Sequence, residues 1–360
     1  MRQGVGQGVS DRDRRIAELQ AQGYLLLPAF VEPHAHLDKA FLAERVHNPT
    51  GDLMGAIRAM ESARESITLL DTIERAERAA RLMLANGVTA IRTHADVVVS
   101  NGLTSAEALI EVRERLRGLV DIQVVALADW PITGVAGSDS RALLRDAIDM
   151  GVDLVGGCPH LEDDFDAAND VFLTIAADAG LPVDLHTDET LDAGKLALED
   201  LARRVLRSGF PHAVTASHCV SLGVQTPAKQ QEVAELVAAA GIHVIALPHT
   251  NLFLQGRGQR QAMPRALTAV AALREAGVVV AAGGDNLQDP FNPIGRGDPL
   301  ETAGLMVVTA HMLPDDALAS VSTAARVVLG LPEGDLVAVR AASVREAIAF
   351  GPADRVLVRA

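Results

Sequence analysis

Two histidines separated by a single residue, His34 and His36, close the first long apolar segment of the chain. In a strand, side chains two residues apart point to the same side, so these imidazoles lie about 6.5–7 Å apart along the chain. Later apolar segments end near His186, His218 and Asp285. Histidines with one carboxylate suit a divalent ion such as zinc or ferrous iron and leave room for water. The pattern therefore predicts a metal site, and it does not indicate a carboxylate-rich calcium site.

A metal site of this kind predicts hydrolytic chemistry. A bound divalent ion lowers the pKa of its water, so that hydroxide is available near neutral pH. Hydrolysis also needs a proton carrier for the leaving group, and Glu189, three residues beyond His186, is a candidate general acid and base. The alternative interpretation of Glu189 is an acidic residue in the first turn of a helix. We expect Asp285 to bind the ion and to accept a proton from the water.

Short apolar segments, most of them β-branched, recur along the chain, and helix-forming stretches separate them. Segments that are apolar throughout are typical of parallel strands covered on both faces. Eight strand–helix units predict an α/β fold, a (β/α)8 TIM-type barrel, whose active site lies where the strands end. The predicted strands are Leu25–Asp38, Val88–Val97, Asp121–Trp130, Leu154–Glu162, Val183–Glu189, Ala213–Cys219, His243–Thr250 and Val278–Asn286.

The barrel is expected to span residues 25–330, with short terminal segments on either side. Gly334–Ala360 contains strand-like runs around a helical turn at Val344–Phe350. Residues 1–24 are polar and short, and we expect them to contribute little. The prediction is a reduced small β element formed by the chain termini, residues 1–24 and 331–360.

Several motifs near the predicted strand ends resemble those of one enzyme family. They are PAFVEPHAHLDK at residues 28–39, RTHADV at 92–97, HTDE at 186–189, ASH at 216–218, NLFLQGR at 251–257 and DNLQDPFNP at 285–293. In this order they resemble the cytosine-deaminase-like branch of the amidohydrolase superfamily, over about residues 25–330. Family members of this branch build part of a β-sandwich before the barrel. The resemblance therefore implies that the terminal segments are the remnant of a small β-sandwich, either reduced or shortened at its start.

The resemblance implies a role for each of the residues singled out above. Glu189 would carry protons to a ring nitrogen of the substrate, and His218 would polarise or orient the attacking water. The predicted fourth strand has no lysine to bridge two metals, so a single Zn²⁺ or Fe²⁺ is expected. Its ligands would be His34, His36, His186 and Asp285.

Departures from the family pattern fall on residues expected to contact the substrate. Cytosine deaminases carry a glutamine after the third strand, where this chain has Asp129 followed by Trp130. The second of two adjacent aspartates after the last strand is here Asn286. A carboxylate only accepts hydrogen bonds, so Asp129 favours a ring that presents N–H donors or a cationic amidine. His249 and Phe291 are also expected to line the pocket.

These observations predict a metal-dependent hydrolytic deaminase that releases ammonia from an amino-substituted nitrogen heterocycle. A cytosine-like pyrimidine is the family default, and the departures leave pterin, isocytosine-like and triazine rings as alternatives. Cyclic amide or urea hydrolysis on the same site is a second class of reaction, which would release no ammonia. A non-catalytic barrel is disfavoured because the predicted ligands are intact.

Composition restricts the partners of the protein. The 360 residues carry a formal net charge of −15, which opposes binding to nucleic acids and to anionic membranes. No apolar run reaches the length of a membrane span, and the first 15 residues lack the apolar stretch of a signal peptide. Two cysteines cannot build a disulfide framework, so a cytoplasmic location is expected. Assembly into a homo-oligomer is compatible with the resemblance.

Overall fold

Eight parallel strands form one sheet in chain order in the computed structural model, which describes residues 10–360. The helices lie between successive strands, and the apolar residues of strands and helices share one large buried core. This confirms the predicted (β/α)8 TIM-type barrel. The barrel strands are β2 (Phe30–Ala35), β3 (Val88–Val97), β4 (Asp121–Ala128), β5 (Leu154–Gly156), β6 (Val183–Thr187), β7 (Val214–His218), β8 (His243–Ala246) and β9 (Val280–Ala282).

The first and last barrel strands meet at residues of the predicted metal site. The backbone N–H of Asp285 donates to the carbonyl of His34 at 3.0 Å, and the N–H of His36 donates to the carbonyl of Asp285 at 3.3 Å. Closure of the barrel therefore brings the two ends of the ligand set together.

Helices surround the barrel strands, and one helix lies near each end of the described chain. Two of the helices are followed by a glycine in the left-handed region, because Gly87 and Gly241 adopt positive φ angles of 88° and 65°. The helices are α1 (Asp11–Ala21), α2 (Leu53–Ala63), α3 (Leu69–Ala85), α4 (Thr104–Arg115), α5 (Ser138–Met150), α6 (Phe165–Ala179), α7 (Ala197–Ser208), α8 (Val220–Gly223), α9 (Pro227–Ala239), α10 (Pro248–Leu254), α11 (Val270–Glu275), α12 (Pro299–Thr309), α13 (Pro314–Ser320), α14 (Thr323–Val328) and α15 (Val344–Phe350).

A small antiparallel sheet joins the two ends of the described chain. Its strands are β1 (Leu25–Pro28), β10 (Leu336–Val339) and β11 (Arg355–Val358), with β10 in the centre. The predicted segment Leu25–Asp38 is therefore two strands, because Ala29 separates the part in this sheet from the part in the barrel. The small β element is present, and its origin as a sandwich remnant stays a prediction.

The N-terminal segment contributes more than its polarity suggested. Helix α1 starts at the N-cap Ser10, whose hydroxyl accepts from the backbone N–H of Asp13. Leu19 of this helix is buried against Ala338 and Val358 of the small sheet. The expectation that residues 1–24 add little is therefore wrong for the helix, while residues 1–9 lie outside the described part of the chain.

None of the helices within residues 10–360 combines the length and the apolar character that crossing a membrane requires.

Candidate active site

The four predicted metal ligands converge at the C-terminal ends of β2, β6 and β9. The Nε2 atom of His186 lies 3.2 Å from Nε2 of His34 and 3.1 Å from Nε2 of His36. Oδ1 of Asp285 lies 3.3 Å from Nε2 of His36 and 3.6 Å from Nε2 of His34. All four side chains are buried, and their donor atoms face one another.

This donor set fits a divalent ion. Burial lowers the pKa of His34 and of His186 well below that of a free imidazole, so both rings are neutral and have a lone pair to offer. Ligand atoms about 2.1 Å from a tetrahedral ion lie about 3.4 Å apart, which is close to the spacings found here. Among residues 10–360, neither carboxylate oxygen of Asp285 has a hydrogen-bond partner. An ion would satisfy these oxygens.

A further histidine, His94 of β3, belongs to the same cluster. Its ring lies 4.1 Å from the His34 ring and 4.7 Å from the His186 ring, measured between centroids. The side chain is fully buried, and neither ring nitrogen has a hydrogen-bond partner within the described chain. His94 is not among the predicted ligands, although the RTHADV motif contains it. Two overlapping triads can hold an ion: His34, His94 and His186, or His34, His218 and Asp285.

Glu189 and His218 lie beside the cluster and share one neighbour. Nδ1 of His218 is 3.6 Å from Oε1 of Glu189. The side-chain amide of Asn251, on α10, donates to Nδ1 of His218 at 3.0 Å and to Oε1 of Glu189 at 3.4 Å. Gln255 donates to the backbone carbonyl of Glu189 at 3.0 Å. Asn251 is a site residue that sequence analysis missed, although the motif at residues 251–257 begins with it.

Burial gives Glu189 the properties of a proton donor. Desolvation raises its pKa well above that of a free carboxylic acid, and the negative charge of Asp285 raises it further. Both effects favour the protonated form of Glu189.

Three residues at the strand ends of the site have a left-handed backbone conformation. Asp188, His218 and Asp285 have φ angles of 54°, 67° and 61°. Non-glycine residues rarely adopt this region, and such conformations cluster at functional sites. The carboxylate of Asp188 accepts from the N–H groups of Ala197 and Leu198 at 2.8 and 3.0 Å, which ties the loop carrying Glu189 to α7.

A pocket of about 710 Å³, part of it open to solvent, lies above the cluster. Asp129 is held there by two backbone groups, because its carboxylate accepts from the N–H of Val99 at 3.2 Å and of Trp130 at 3.0 Å. Burial raises the pKa of Asp129. The predicted substrate contacts that line this pocket are Asp129, Trp130, Asn286 and Phe291.

The structure does not place His249 with these residues. The predicted strand His243–Thr250 ends at Ala246, and α10 begins at Pro248, so His249 lies on a helix. Its Nε2 contacts the hydroxyl of Thr302 at 3.1 Å, and its ring lines a separate narrow cavity behind Asp285 and Asn286. His249 therefore lies outside the lining of the main pocket, and its contact with the substrate stays a prediction.

Two parts of the pocket wall were missed. Leu53, Ile57 and Met60 form one face of α2 over the pocket, because helical residues three and four apart share a face. Lys39 is buried at the wall, with Nζ 2.6 Å from Oδ1 of Asp96 and 3.2 Å from Nδ1 of His36. The HLDK motif contains this lysine, but its partner Asp96 lies on β3, which is distant in the sequence.

Comparison with known proteins agrees with this geometry. The sequence pattern of the amidohydrolase family matches residues 17–332. A pterin deaminase of Rhizobium rhizogenes is 36% identical over 351 residues, which cover 96% of this chain and 77% of that protein. An N-isopropylammelide isopropyl amidohydrolase of a Pseudomonas species is 26% identical over 297 residues, covering 79% of this chain and 69% of that protein.

A solved structure gives the same result. The 5-methylcytosine deaminase of Klebsiella pneumoniae bound to 5-fluorocytosine superimposes with a TM-score of 0.85 at 31% identity. The match covers 98% of this chain and 86% of that chain. The chain belongs to the amidohydrolase family. The predicted family and the predicted enzyme class, a hydrolase acting on non-peptide C–N bonds, are confirmed.

Proposed function

We propose that this member of the amidohydrolase family is a metal-dependent hydrolytic deaminase, and that a pterin-type ring is its substrate. The observation that carries the proposal is that Glu189 lies beside a cluster of histidine and aspartate side chains that could bind a metal ion, beneath one pocket. Glu189 is buried, and its raised pKa suits a proton donor. Glu189 can protonate a heterocycle in this pocket while a water molecule at the histidine and aspartate cluster attacks it. That pairing is what deamination requires.

The ion is assigned to His34, His36, His186 and Asp285, whose nitrogen and oxygen donors suit Zn²⁺ or Fe²⁺. When bound, such an ion acts as a Lewis acid and lowers the pKa of water.

Different residues of the site carry out the separate proton transfers. Glu189 protonates the ring nitrogen next to the carbon that bears the amino group, which makes that carbon more electrophilic. His218 orients the attacking water, and Asp285 accepts a proton from it. The C–O bond forms as the adjacent C=N bond gives up its electron pair to the protonated nitrogen. Glu189, deprotonated by the first step, takes the proton of the new hydroxyl group, and the proton held by Asp285 passes to the amino group. The C–N bond then breaks with its electron pair on the leaving ammonia as the C=O bond forms.

Two features support a pterin-type ring. The pterin deaminase of Rhizobium rhizogenes matches nearly the whole of this chain. In the pocket, the carboxylate of Asp129 can accept hydrogen bonds from ring N–H groups. Cytosine-type rings are the second candidate, supported by the similarity to the 5-methylcytosine deaminase.

The test is a comparison of kcat/KM across a substrate panel. Protein loaded with Zn²⁺ or Fe²⁺ is assayed for ammonia release from pterin, isocytosine, cytosine, 5-methylcytosine and aminotriazines. We expect the highest kcat/KM with pterin and loss of activity on chelation. A higher kcat/KM with cytosine or 5-methylcytosine would contradict the pterin assignment and favour the second candidate.

We also propose that the reaction takes place in the cytoplasm, which the presence of only two cysteines supports.

A further inference from the structure

A buried chain of hydrogen bonds runs beneath the metal ligands from β3 to β2. Nη1 of Arg92 donates to Oδ2 of Asp184 at 2.8 Å. The hydroxyl of Ser217 donates to Oδ1 of Asp184 at 3.1 Å, and the same hydroxyl oxygen lies 2.9 Å from Nδ1 of His34. All four residues are nearly inaccessible to solvent, with exposed fractions of 4% or less.

The direction of each hydrogen bond follows from the groups involved. Both carboxyl oxygens of Asp184 accept hydrogen bonds, one from the guanidinium of Arg92 and the other from the hydroxyl of Ser217. A serine hydroxyl has one hydrogen, and the hydroxyl of Ser217 gives it to Asp184. Its oxygen can therefore only accept from His34, so Nδ1 of His34 carries the ring proton.

Further hydrogen bonds hold the side chain of Arg92 in place. Its guanidinium also donates to Oε1 of Gln123 at 3.0 Å, to the hydroxyl of Thr215 at 3.2 Å and to the carbonyl of Val328 at 3.1 Å. Since these partners lie on β4, β7 and α14, Arg92 cannot turn away from Asp184 without leaving buried groups unpaired.

We propose that Ser217 is a positioning residue that fixes the tautomer of His34, with Arg92 and Asp184 setting its direction. With the proton on Nδ1, the lone pair of Nε2 points toward Nε2 of His186 and Oδ1 of Asp285, at 3.2 and 3.6 Å. The inference rests on the metal site of the proposed function. It assigns to Ser217 a contribution to ion affinity that needs no contact with the ion.

The first test is Zn²⁺ affinity of the full chain, measured by competition with a chromophoric chelator. Ser217→Ala should weaken Zn²⁺ binding by about 10- to 100-fold, as is typical when a partner of a metal ligand is removed. Ser217→Thr keeps the hydroxyl and should restore the affinity. The matched control is Ser221→Ala, because Ser221 is also buried and its hydroxyl has no hydrogen-bond partner among residues 10–360. Thermal unfolding of the ion-free variants checks that each one folds.

The second test observes the tautomer itself. In chelator-stripped protein with ¹⁵N-labelled histidine, the His34 ring should show a proton on Nδ1, and Ser217→Ala should give a mixture of tautomers. Unchanged Zn²⁺ affinity together with an unchanged His34 signal in folded Ser217→Ala would overturn the inference. Failure of the proposed function is a separate result, because a wild-type protein that binds Zn²⁺ but releases no ammonia would leave both measurements intact.

Discussion

The side-chain amide of Asn251 donates a hydrogen bond to Nδ1 of His218 at 3.0 Å. An amide N–H only donates, so Nδ1 of His218 is unprotonated and its Nε2 carries the proton. That Nε2 has no hydrogen-bond partner within residues 10–360, and the ring lines the pocket. Burial lowers the pKa of His218 to about 4, so the ring is neutral. His218 therefore offers an N–H donor to a molecule in the pocket.

Replacing Asn251 with aspartate should reverse this arrangement. A carboxylate at residue 251 accepts from Nδ1–H of His218, which moves the ring proton away from Nε2. We expect kcat to fall by about 100-fold while ion binding is retained, because general acid–base contacts typically contribute a factor of this size. Steady-state kinetics and metal analysis would check this. A wild-type kcat in the variant would contradict the tautomer assigned to His218.

Glu189→Gln should abolish turnover and spare the ion. The amide cannot deliver a proton to the substrate, so kcat should fall by about 1,000-fold or more. The protein should still bind one ion per chain, because Glu189 is not a proposed ligand. Glu232→Gln is the control, since Glu232 is exposed on α9 with 56% of its side chain accessible. Normal turnover in Glu189→Gln would exclude the assigned role.

Asp129→Gln should change the preferred ring. Cytosine deaminases carry glutamine after the corresponding strand, and glutamine both donates and accepts where Asp129 only accepts. We expect the ratio of kcat/KM for cytosine to that for pterin to rise by about tenfold or more. Asp146→Asn on the exposed surface of α5 is the control. An unchanged ratio would show that Asp129 does not select the substrate.

Ion binding should stabilise the fold. At a Zn²⁺ concentration about 100 times Kd, the free energy of unfolding should rise by about 2.7 kcal/mol, which corresponds to about 4 °C in Tm for a chain of this length. His186→Ala should remove the shift, because His186 contacts both His34 and His36. The exposed His47 provides the control variant, His47→Ala, which should keep it. An equal shift in His186→Ala would contradict the ligand assignment.

Gly283→Ala should destabilise the barrel beside the site. A Cβ at residue 283 would lie 2.6 Å from Oε1 of Glu32 and 3.3 Å from the carbonyl of His34. Glu32 cannot move freely, since its carboxylate accepts from the N–H groups of His34 and Gly284. We expect a loss of about 1–3 kcal/mol in denaturant unfolding. Gly258→Ala meets no atom within 4 Å and should be neutral; equal stability of the two variants would refute the steric argument.

The architecture and the metal cluster could be predicted because their signals are local. Apolar runs mark the strands, and a histidine or aspartate after each run reaches the same face of a barrel. The strands β3 and β7 agree with the predicted segments to within one residue. The strands of the barrel follow one another in chain order, and this order alone is enough to predict that His34, His36, His186 and Asp285 converge.

The missed features depend on contacts between distant segments. Asn251 reaches residues 33 and 62 positions away, and nothing in its neighbourhood indicates that contact. The end of the predicted strand His243–Thr250 was misplaced because the apolar run of β8 continues into Pro248, which begins a helix instead of extending the strand. The helix α1 has a capping serine and early aspartates as signals, but its polarity concealed the burial of Leu19.

The most direct measurement of the central claim is ammonia release as a function of ion loading. Chelator-stripped protein is titrated with Zn²⁺ or Fe²⁺ and assayed with the pterin-type substrate at each ratio. We predict that activity rises to a maximum at one ion per chain, with one ammonia formed per product molecule. Fully loaded protein that releases no ammonia from any ring of the panel would contradict the deaminase assignment.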